Sequence, residues 1–169
     1  EILHPERIHY TCINSKLLRQ RGLVDFMDAI SFLKALISTN KINKDQILGR
    51  SLDRENLEAY KDGLNSSLTK YLNNLNKKGL DYVFVASTTK GQVAGITKNS
   101  PAFNSNDLVV LVNDTEEPEL TYTPSFLKKS ARIAFLATKS DKRMPLAWLY
   151  YRWGKENESP SFLRFIDNV

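Results

Sequence analysis

The sequence predicts a mainly helical α+β protein of winged-helix type, helices followed by a β-hairpin wing, with room for a second such unit in tandem. Three observations carry this expectation. Leu57, Tyr60, Leu64, Leu68, Tyr71, Leu72 and Leu75 recur every three to four residues, the period of one helix face, while Lys, Glu and Asn fill the other face. Lys77, Lys78 and Gly79 then supply a basic last turn and a glycine stop. Beyond them, the runs from Tyr82 to Val85 and from Leu108 to Val112 are too apolar and too β-branched for loop. Helix, strand, hairpin and strand is the ending of a winged-helix unit.

Taken in order, Pro5 suits a first helical turn, and Ile8, Tyr10, Ile13, Leu17 and Leu18 share a broad stripe before Gly22, so a first helix is expected there. Asp25 is a candidate N-cap for a second helix, in which Phe26, Ile30, Leu33 and Ile37 follow i, i+4, i+7, i+11. Residues 38–47 are polar, with isolated Ile42 and Ile47, and read as a connection with at most one helical turn. The long helix begins near Asp53. Thr88 to Gly91 reads as the wing's turn, Val93 to Thr97 as a weak strand broken by Gly95, and Asn99 to Asp107 as a loop tip. Leu108 to Val112 lacks polar alternation, so both faces are expected to be covered, as a second packed unit would do. Thr123-Pro124 is a helix start, and the helix is expected to run to about Thr138 with Phe126, Leu127, Ala131, Ile133, Ala134 and Ala137 on its apolar face. Leu146 to Trp153 is aromatic-rich and ends at Gly154, and Phe162 to Ile166 is a last short apolar piece. The expected domains are a winged-helix unit with a long wing over 1–122 and a helical, basic and aromatic second unit or partial domain over 123–169.

With 169 residues and 41% hydrophobic residues, the chain can bury one sizeable core or two small ones. Its longest apolar runs fall far short of the roughly 20 residues that cross a bilayer, and no charged-then-apolar leader opens it. A soluble chain with no membrane partner is expected. The single cysteine, Cys12, offers no internal disulfide and no Cys-ligated zinc, which favours an intracellular location. Net charge is +5, and it is unevenly spread. Between Pro124 and Lys155 stand Lys128, Lys129, Arg132, Lys139, Lys142, Arg143, Arg152 and Lys155 against Asp141 alone, a balance of +7. Asp107, Asp114, Glu116, Glu117 and Glu119 form an opposite block with no Lys or Arg among them. The basic end suits an acidic patch or a phosphate backbone, or it is simply a solvated face.

No constellation for catalysis, metal or cofactor binding is visible. His4 and His9 stand five apart, off the i, i+4 spacing of a zinc pair on a helix, and no histidine follows residue 9. There is no Gly-rich phosphate loop and no Gly-x-Ser-x-Gly elbow. The pairs Asp25 with Asp28 and Glu55 with Glu58 are ordinary on amphipathic helices. In the segment from Arg143 to Lys155, Trp148, Tyr150, Tyr151 and Trp153 are able either to stack exposed bases beside phosphate-holding Arg143, Arg152 and Lys155, or to fill a core or a partner's groove. Both readings stay open, with the core or interface one favoured by the cost of exposing so many large rings.

The order of elements, the Leu17-Leu18 helix ending at Gly22, the Leu57 to Leu75 helix leading into Tyr82, and above all the stretch LVVLVNDTEEPELTYTPSFLKKSARIAFLATK resemble the amino-terminal region of the non-SMC element 1 family. Members of that family are subunits of a chromosome-maintenance complex devoted to DNA repair and recombination, with two winged-helix units and a zinc-binding RING domain. The resemblance covers roughly Tyr10 to Lys139. The RING ligand cluster is absent, so ubiquitin-ligase chemistry is not expected of these residues. The resemblance implies a non-catalytic adaptor in the nucleus that docks a MAGE-type winged-helix subunit and a kleisin. On this reading Trp148, Tyr150, Tyr151 and Trp153 are the candidate partner-binding residues. Direct nucleic-acid binding through Lys128, Lys129, Arg132, Arg143 and Arg152, with DNA as partner, is the alternative, and an enzyme on an unrecognised fold is the third reading.

Overall fold

The computed structural model describes residues 7–11, 35–39, 41–48, 56–86, 96, 99–112 and 119–136. Its longest element is helix α1, Leu57–Asn74, which Asn56 caps by accepting the Ala59 backbone N–H at 3.1 Å. Tyr60, Leu64, Leu68 and Leu72 are buried on it at four-residue spacing, the stripe that the sequence predicts. The stripe ends a turn early, for Leu75 is 47% exposed. Gly79 is not the helix stop. Asn76 takes the left-handed conformation (φ 52°), and the Lys77 N–H reaches back to the Leu72 carbonyl at 2.9 Å, closing a Schellman-type cap.

The described residues beyond α1 do not form a wing, and the expected turn Thr88 to Gly91 and most of the expected strand Val93 to Thr97 lie outside them. Strand β1, Val83–Ala86, pairs in parallel with β4, Ile133–Leu136, in the register Val83 with Ile133 through Ala86 with Leu136. Strand β2, Val109–Val112, pairs antiparallel with β3, Glu119–Tyr122. A winged-helix hairpin requires β1 to return on its immediate successor, whereas a parallel partner needs a long crossover, here everything between residues 86 and 133. The winged-helix expectation is therefore corrected to an α/β arrangement with a parallel strand pair. Strand β3, in a stretch where the sequence predicts no element, is the hairpin partner that β2 uses.

Both faces of β2 are covered, as its unbroken apolar run predicts. Val109 and Leu111 face the main core with Tyr60, Leu64, Leu68, Leu72, Leu120 and Phe126. Val110 and Val112 face a smaller cluster with Ile96, Ala102 and Phe103, the last two carried by the 3-10 turn Pro101–Asn104. Alternate side chains of one strand thus serve two cores. Helix α2, Pro124–Leu127, starts as predicted at Thr123. The buried Thr123 hydroxyl donates to the Asp107 carbonyl at 2.6 Å and accepts the Phe126 N–H at 3.3 Å. It lasts only four residues instead of running to Thr138, because the Ala131 N–H turns to the Leu80 carbonyl at 2.8 Å and Ile133-Ala134-Phe135-Leu136 enters the sheet.

The expected first helix is also revised where it is described. Residues around Tyr10 are extended: the Tyr10 N–H donates to the Gln46 carbonyl at 2.7 Å, and the Leu48 N–H to the Tyr10 carbonyl at 2.8 Å. The buried Gln46, on the 3-10 turn Lys44–Gln46, locks this join by donating to the Ile8 carbonyl and accepting from Asn43, each at 2.7 Å. Residues 35–38 are helical, and the rest of the expected second helix lies outside the described residues. Among the described residues no helix is long and apolar enough to cross a membrane.

Candidate functional site

In open α/β sheets, ligands settle beyond the carboxyl ends of the parallel strands, where backbone N–H groups and loop side chains converge. Here Ala86 and Leu136 end β1 and β4 side by side in register. The sequence that leaves them is Ser87-Thr88-Thr89-Lys90-Gly91-Gln92 from β1 and Ala137-Thr138-Lys139-Ser140-Asp141-Lys142-Arg143 from β4. Both segments lie outside the described residues. As chemistry, they offer hydroxyls, an amide, four cations and a single carboxylate.

The strand ends are held by well-packed residues. Val83 and Val85 are buried beneath β1. At the amino ends, the Val83 N–H donates to the Arg132 carbonyl at 2.9 Å, and the Ser130 hydroxyl accepts from the Leu80 N–H at 3.3 Å. Gly79 permits this join, since a Cβ there would stand 2.2 Å from the Lys129 carbonyl oxygen. Asn65 on α1 fixes the start of β2: its side-chain oxygen accepts from the Leu108 and Val109 N–H groups at 3.0 and 2.9 Å, and its amide donates to the Val109 carbonyl at 2.8 Å. Asn65 also lines an open polar groove with Ser66, Thr69, Lys70, Asn73 and Asn74, all from the same helix, so among the described residues no second wall encloses a ligand there.

Of the residues predicted to grip a phosphate backbone, Lys128, Lys129 and Arg132 are described, and all three follow the end of α2 at Leu127 instead of sharing a helix face. Lys128 is half-buried, and desolvation holds its ammonium pKa below the usual lysine value. Lys129 is exposed just before the strand. Arg132 is exposed, donates to the Tyr82 hydroxyl, and lies 5.2 Å from the centre of its ring. Arg143, Arg152, Trp148, Tyr150, Tyr151 and Trp153 lie outside the described residues. His9 is exposed with its ring 4.8 Å from that of Tyr71. Burial pushes the Tyr71 phenol up, with a smaller upward push from Asp81 and an opposing one from Lys77. Among the described residues no group of three His, Cys, Asp or Glu side chains is placed to hold a metal ion.

No family model matches the chain, and neither does any curated sequence. Solved structures do. A 6-phosphogluconolactonase from Thermotoga maritima superposes with a TM-score of 0.69 at 17% identity, covering 96% of this chain and 70% of its own. The 6-phosphogluconolactonase from Trypanosoma brucei gives a TM-score of 0.54 at 17% identity over 75% of this chain and 56% of its own. That from Leishmania guyanensis gives 0.53 at 16% identity over 80% of this chain and 61% of its own.

These likenesses overturn the resemblance to non-SMC element 1, and with it the winged-helix adaptor of a DNA-repair complex and its MAGE-type and kleisin partners. The nucleic-acid alternative through Lys128, Lys129 and Arg132 also finds no support. The order of long helix, strand and apolar strand is real in this chain, but local order alone does not say which strands pair. With β1 joined in parallel to β4 and β2 folded onto β3, the chain has the α/β fold of the 6-phosphogluconolactonases.

Proposed function

We propose that this protein binds a phosphorylated sugar acid and its lactone beyond the carboxyl ends of β1 and β4, and hydrolyses the lactone. The observation that carries the reading is the likeness over 96% of the chain to a solved 6-phosphogluconolactonase. The composition of the strand-following segments supports it. Lys90, Lys139, Lys142 and Arg143 supply the charge for a phosphate, and Ser87, Thr88, Thr89, Gln92, Thr138 and Ser140 supply partners for sugar hydroxyls.

The reaction asks little of a protein. Water adds to the lactone carbonyl, the ring C–O ester bond breaks, and the ring oxygen takes a proton to become a hydroxyl. A base must accept the water's proton, and positive charge or N–H donors must face the carbonyl oxygen as it becomes anionic. Asp141, the one carboxylate in the two segments, is the proposed base, and the neighbouring cations are the proposed oxyanion stabilisers.

Calorimetric titration with 6-phosphogluconate, gluconate and inorganic phosphate tests the binding. The phosphorylated acid should bind at least tenfold more tightly than gluconate. Equal affinity, or no binding of either, would overturn the assignment. Proton release from 6-phosphogluconolactone, followed in a pH-stat beside a buffer blank, tests the hydrolysis. Asp141→Asn should abolish the enzymatic part while leaving 6-phosphogluconate binding in place.

A further inference from the structure

We draw no further inference here: the strongest candidate, the outer face of the β1/β4 pair that carries Tyr82, Phe84 and Arg132, carries none, because nothing among the described residues shows what covers it.

Discussion

Replacing Gly79 by alanine probes the join on which the parallel sheet depends. The added methyl would meet the Lys129 carbonyl oxygen at 2.2 Å, its carbon at 2.3 Å and the Ser130 nitrogen at 2.7 Å. All three are backbone atoms, so no rotamer change relieves the overlap. The segments 77–81 and 128–132 must separate by roughly 1 Å to restore ordinary van der Waals distances. That movement works against the Ala131 to Leu80 bond at 2.8 Å and the Val83 to Arg132 bond at 2.9 Å, which lead into β1 and β4. Each bond contributes on the order of 1 kcal/mol net, and overpacking strain adds a similar amount, so Gly79→Ala is expected to cost about 2–4 kcal/mol. Urea unfolding followed by tryptophan fluorescence and by circular dichroism measures this directly, with an unchanged denaturant slope showing that the loss is in stability alone. A loss under about 0.5 kcal/mol, the range of an innocuous surface change, would refute the close approach and the register built on it.

Leu68→Ala, at a fully buried position on α1, is expected to cost about 2–5 kcal/mol by the same unfolding assay, whereas Lys70→Ala on the exposed face should stay within about 0.5 kcal/mol. Asn65→Ala strands the Leu108 and Val109 N–H groups and the Val109 carbonyl, and is expected to cost about 1–3 kcal/mol and to raise amide exchange at the start of β2. Tyr71 gives a pH test. Its folded pKa lies above the ordinary tyrosine value of 10.0, so the unfolded chain loses this proton first, and stability should fall as pH rises from about 10 through the folded pKa. Tyr71→Phe should remove that part of the alkaline loss, and an identical alkaline profile in the variant would count against the burial assigned to the phenol.

Helix α1 was legible because a helix writes its buried face locally: Tyr60, Leu64, Leu68 and Leu72 show the period without knowledge of what they pack against. The Thr123-Pro124 start was legible for the same reason, since cap and first turn are neighbours in sequence. Strand pairing is a long-range choice. Nothing near Val83 says that its partner is Ile133, and the alternation in Ile133-Ala134-Phe135-Leu136 was hidden inside a stretch whose apolar residues also fit a helix face. Gly79 carried a misleading signal. A glycine after a basic turn suggests a helix stop, yet Asn76 performs that role and Gly79 serves a contact with a segment fifty residues away. Asn65 gave no signal at all, being one polar residue among many on the polar side of α1. The proposed ligand site was not legible because it rests on parallel pairing, which sets the strand ends Ala86 and Leu136 side by side although they stand fifty residues apart.

The central claim is that a sugar phosphate binds beyond the carboxyl ends of β1 and β4, and amide chemical-shift mapping during titration with 6-phosphogluconate tests it most directly. The largest shifts are expected at Ala86, Leu136 and the residues next after each, with the amides of α1 and of Gly79 to Asp81 nearly still. Saturable shifts confined to the outer face around Tyr82 and Arg132, or no shifts at millimolar ligand, would contradict it.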